Sequence, residues 1–77
     1  MIEDQILDVL TSLEHRQQAV EIEATWLAGE ERVLSAQAAT GQLDLSRFKT
    51  FTARSERAAT EAAAVLEGLD NILKDLT

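Results

Sequence analysis

The chain of 77 residues has no cysteine, no proline and no tyrosine. Without cysteine it can form neither a disulfide staple nor a thiolate metal site, which suits a reducing compartment. Without proline, no residue removes a backbone donor or clashes with a preceding turn, so nothing of that kind interrupts a helix. Glycine occurs three times, and the aromatic side chains are Trp26, Phe48 and Phe51. No run approaches the roughly 20 consecutive apolar residues that cross a bilayer, so no membrane span is expected. The start, Met1-Ile2-Glu3-Asp4, is acidic and lacks the basic and apolar regions of a signal peptide. The localisation expected is cytoplasmic.

Basic residues are also scarce, 7 against 14 acidic ones, for a formal net charge of −7. A chain of that charge is repelled by nucleic acid and anionic lipid, so neither is expected as a partner. Catalytic constellations are missing as well. His15 is the only histidine and falls on a solvated flank beside Glu14 and Arg16. The acidic pairs Glu3-Asp4 and Glu30-Glu31 are adjacent in sequence, so on a helix they point in different directions and form no metal clamp. The Glu-x-x-His of helical di-iron sites is absent, as are phosphate-binding glycine loops. The basic cluster Arg47, Lys49, Arg54 and Arg57 has no surface aromatics interleaved with it. The expectation is a protein that is not an enzyme and has no cofactor and no metal.

What is abundant is alanine, leucine and glutamate in helical periodicity. Residues 3–39 read as one helix, with the stripe Ile6, Leu10, Leu13, Gln17, Val20, Ala24, Leu27, Glu31, Leu34, Ala38 keeping a heptad step throughout. Residues 40–44 break it. Gly41 suits the left-handed position that ends a helix, and Asp44 suits the N-cap of the next. Leu43 and Phe48 have the spacing of a hydrophobic staple. A second helix over 45–76 carries Phe48, Phe51, Ser55, Ala58, Ala62, Val65, Leu69, Ile72 and Leu76 on another heptad stripe. Two helices joined so tightly lie antiparallel. The fold expected is all-α: a single two-helix antiparallel hairpin, coiled-coil-like, completed by oligomerisation or by a partner.

Side-chain volumes suggest a register in which paired residue numbers add to about 89, setting large residues against small ones in most layers. That register seats Glu31 near the seam, where it needs Arg54, Arg57 or the seam edge. It also leaves Ile2, Ile6, Leu7, Val9 and Leu10 extending past the end of the second helix. A second apolar stripe on the first helix, Ala19, Ile22, Trp26, Gly29, Val33 and Ala36, falls outside the seam. A tryptophan outside a seam suits an anchor in a helix-to-partner contact, and Gly29 would let a partner approach closely. Ile22, Trp26, Gly29 and Val33, with Ile6 and Leu10 of the overhang, are the partner-binding residues expected.

The second half resembles a known family. Gly41, Phe48 and Phe51 opening a helix, alanine-rich turns, then Val65-Leu66-Glu67-Gly68-Leu69-Asp70-Asn71-Ile72-Leu73-Lys74-Asp75-Leu76 look like the small helical-hairpin co-chaperones of type III secretion needle subunits, the YscE/PscE group. The resemblance covers about residues 41–76; the first helix shows no specific match. It implies a cytoplasmic hairpin that binds a helical-repeat chaperone and helps keep a needle subunit unpolymerised. The function expected is thus a non-enzymatic protein-interaction subunit, of the secretion or assembly co-chaperone kind, that shields apolar helical surface of a partner. Alternatives are a self-associating coiled-coil homodimer forming a four-helix bundle, and an acidic inhibitor occupying a basic groove.

Overall fold

The computed structural model describes residues 2–76 and consists of two helices, α1 (Ile2–Ala39) and α2 (Leu45–Leu76), folded back on one another. Glu3 and Asp4 occupy the first turn of α1, where carboxylates complement the helix dipole. Its end is a Schellman motif. The N–H of Gln42 donates to the carbonyl of Gln37 at 2.8 Å and that of Gly41 to the carbonyl of Ala38 at 3.1 Å. Gly41 has the positive φ of 73° that this motif requires. At the start of α2, Asp44 Oδ1 accepts the N–H of Arg47 at 3.1 Å, so Asp44 is the N-cap. Gln37 ties the two ends together, its Oε1 accepting the N–H of Asp44 at 3.1 Å.

A 38-residue helix rising 1.5 Å per residue is about 57 Å long, and the molecule measures 59 × 16 × 16 Å. Helix α1 therefore runs its whole length. A compact monomer of 8.5 kDa exposes about 4,700 Å²; this hairpin exposes 5925 Å². Among the described residues, the buried apolar side chains are Leu13, Leu34 and Val65 alone. Around them Ile6, Val20 and Leu27 of α1, and Phe51, Ala58 and Ile72 of α2, are half-buried. The seam is thus one heptad column from each helix.

The register differs from the one that side-chain volumes suggest. Arg16 pairs with Glu61, Glu23 with Arg54 and Glu30 with Arg47, each at 2.6 Å, and in every case the two numbers add to 77. Gly68 lies against Leu13, and Ile6 and Val9 share a groove with Ile72. Side-chain volume is not what sets the register: Arg16, Glu23 and Glu30 reach Glu61, Arg54 and Arg47 only when α2 is slid along α1 from the volume-matched alignment. Two expectations fall with that register. Among the described residues the expected overhang is absent, because Gln5, Ile6 and Val9 face Ile72, Asp75 and Leu76 across the open end. Glu31 is exposed, and its neighbour Glu30 is the buried carboxylate, at 8 % exposure. The side chain of Ile2 lies outside what is described.

Candidate functional site

The hairpin has two unlike flanks. On one, the positions three residues after Leu13, Val20 and Leu27 bring Arg16, Glu23 and Glu30 opposite Glu61, Arg54 and Arg47. Steps of seven up α1 match steps of seven down α2, so the ion pairs form a ladder along the edge of the seam. The ladder draws on the acidic middle of the first helix and the basic start of the second. Hydrogen bonding from Arg16 lowers the Glu61 carboxyl below its ordinary value; partial burial opposes this and the Arg16 charge adds to it. The same contact raises the Arg16 guanidinium.

Trp26 belongs to this charged flank. The Arg54 guanidinium stacks over its ring, 3.6 Å from the centroid, and holds Glu23 Oε1 with Nη2 at 2.6 Å. Glu23 Oε1 is shielded from solvent and has no partner in hydrogen-bonding geometry, so Arg54 serves it as a charge. An arginine divided between a ring face and a carboxylate is a cation–π contact with an ionic neighbour. The indole is half-buried beneath the Arg54 guanidinium, at the edge of the seam. It is part of the helix-to-helix contact within the chain.

The other flank carries no ion pair among the described residues. Its α1 side holds Leu10, Gln17, Ala24, Glu31 and Ala38, the column that the sequence places in the seam, all of them exposed. Across from it stand Phe48, Ser55, Ala62 and Leu69 of α2. Two shallow apolar grooves run along the junction. One is lined by Leu10, Leu13, Val65 and Leu69, the other by Leu34, Ala38, Leu43, Phe48 and Phe51. Beyond the junction, α2 turns outward a further column of Leu45, Leu66 and Leu73, each at least 60 % exposed. Leu45, Phe48, Leu66, Leu69, Leu73 and Leu76 are all exposed along this side.

The six expected partner-binding residues do not converge on one surface. Leu10 lies on the apolar flank, and Ile6 is half-buried at the open end beside Ile72. Trp26 sits under Arg54. Ile22 is 73 % exposed on the back of α1, with Gly29 in open space and Val33 partly exposed beyond it. Leu45, Leu66 and Leu73 are not among the contact residues expected from the sequence. The signal was available, since heptad spacing places all three on one column. Gly68 was also passed over, although a glycine in an alanine-rich helix is a mark of close approach: a Cβ there would lie 2.8 Å from Leu13 Cδ2.

Among the described residues no group of three or more His, Asp or Glu side chains is placed to hold a metal ion, and no helix is long and apolar enough to cross a membrane. No family model matches the chain, and neither a curated protein nor a solved structure does.

Proposed function

We propose that the chain is a non-enzymatic protein-interaction subunit whose apolar flank is completed by helices of another polypeptide. The observation that carries this reading is the imbalance between core and surface. Among the described residues three apolar side chains are buried, while Leu45, Phe48, Leu66, Leu69, Leu73 and Leu76 stand exposed along one side of α2. Contiguous exposed apolar surface on a small protein marks an interaction site. A two-layer hairpin has no third element to cover it. The role we assign is the one the sequence resemblance implies, a secretion or assembly co-chaperone in the cytoplasm that shields apolar helical surface. The elongated outline and the uncovered flank support it.

The test is the double variant Leu66→Gln/Leu69→Gln, compared with the parent by circular dichroism and sedimentation velocity at micromolar concentration. The parent should sediment as more than one chain, or precipitate, and the variant should be a soluble helical monomer. A parent that stays monomeric at every concentration, with solubility and melting that the variant leaves unchanged, would remove the basis of the proposal.

A further inference from the structure

We infer that the occupant of the apolar flank is a second copy of this chain, joined through α2 packed antiparallel on α2 about a twofold axis at Ala59 and Ala62. The inference rests on the reading that the chain acts by association, and it names the partner. Helix α1 offers Glu14, Glu21 and Glu31 along this flank and no cation, so two copies meeting through α1 would set like charges together. Helix α2 carries no charge in the two columns it turns to this flank. Those columns alternate by three and four residues over the whole helix, from Leu45 and Phe48 to Leu73 and Leu76. That is a second complete heptad seam.

This seam complements itself. Turned antiparallel about its centre, it sets Leu45 against the partner's Leu76 and Phe48 against the partner's Leu73. Thr52 then meets the partner's Leu69, Ser55 the partner's Leu66, and Ala59 the partner's Ala62. Bulky residues fill the ends, small faces large in the intermediate layers, and alanine on alanine allows close approach where the helices cross. All ten positions find a place. The outer edge of the seam carries Lys49, Glu56, Ala63 and Asp70. In this register the partner's Asp70 falls about two residues, or ~3 Å along the axis, from Lys49, and about five residues, or ~7.5 Å, from Glu56. The symmetry makes two such Lys49–Asp70 pairs.

Neighbouring registers fail on the same groups. Sliding by one heptad one way strands Leu73 and Leu76 and brings Glu56 to the partner's Glu56. Sliding the other way strands Leu45 and Phe48 and sets Glu56 beside the partner's Asp70. Repulsion in the alternatives selects one register. The area agrees. The hairpin exposes more than 1,000 Å² beyond a compact monomer, roughly, where a standard interface needs about 800 Å² from each partner.

Charge reversal tests register and partner together. The parent should sediment at twice the chain mass. Lys49→Asp and Asp70→Lys, both at exposed positions off the hairpin seam, should each weaken the dimer about tenfold. The double variant Lys49→Asp/Asp70→Lys should restore it. Circular dichroism checks that each remains helical, and Ala59→Arg, at the twofold, should give a helical monomer. A dimer indifferent to both reversals and to Ala59→Arg overturns this interface. A monomeric parent overturns the second copy as occupant. In that case Leu66→Gln/Leu69→Gln separates the two ideas: raised solubility leaves the association reading standing for a different partner, and no change removes both.

Discussion

Trp26 illustrates how one residue's role turns on a rotation of its helix. By heptad spacing it lies outside the seam, and it does, but long arginine side chains reach where a backbone column does not. Arg54 crosses from α2, caps the ring at 3.6 Å and engages Glu23. A double-mutant cycle with Trp26→Ala and Arg54→Ala should therefore show a coupling of about 1 kcal/mol in the free chain, read from urea unfolding. Additive losses would mean that the stacking is incidental. Glu61 sets a pH dependence of known sign. Its folded pKa lies below the ordinary carboxylate value because Arg16 hydrogen-bonds the charged form. The Arg16–Glu61 contribution is therefore whole above the ordinary value and is lost as pH falls through the lower folded one. The melting temperatures of the parent and Glu61→Gln should differ at neutral pH and converge in acid. A gap that persists in acid would assign the effect to packing.

At the scale of elements, the two helical glycines divide by what surrounds them. Gly29 faces open space, so Gly29→Ala should stabilise the chain by about 1 kcal/mol through helix propensity alone. Gly68 meets the buried Leu13, and a methyl group at 2.8 Å must displace it. Overpacking costs about 1–3 kcal/mol and outweighs the same gain, so Gly68→Ala should lower stability. Thermal melts of the two variants, moving in opposite directions, check the pair. The ends of the helices were legible beforehand. Gly41 and Asp44 do what their side chains and backbone freedom suit them to do, because capping is settled within a few residues. The face each helix turns to the other was not, because several columns of α1 are equally apolar.

At the scale of the whole molecule, three buried apolar side chains among the described residues leave little margin. Folded domains retain about 0.05–0.15 kcal/mol per residue, hence about 4–12 kcal/mol for a chain this size. Truncating a buried leucine removes about 2–5 kcal/mol. Leu34→Ala should consequently abolish or sharply depress the cooperative melt of the isolated chain, followed by ellipticity at 222 nm. Leu73→Ala, at an exposed position, should leave a single hairpin's stability within about 0.5 kcal/mol. Equal losses from both would show that the outer column is already covered in solution.

By itself, the sequence determined two long helices, where they stop, and that they fold back on one another. Each follows from local propensity, capping and an uninterrupted heptad. Tertiary structure alone decided the register, the burial of Glu30 in place of Glu31, the closure of Trp26 under Arg54, and which flank stays bare. Those depend on how three interhelical ion pairs rotate and slide two helices that have more apolar columns than one contact can use.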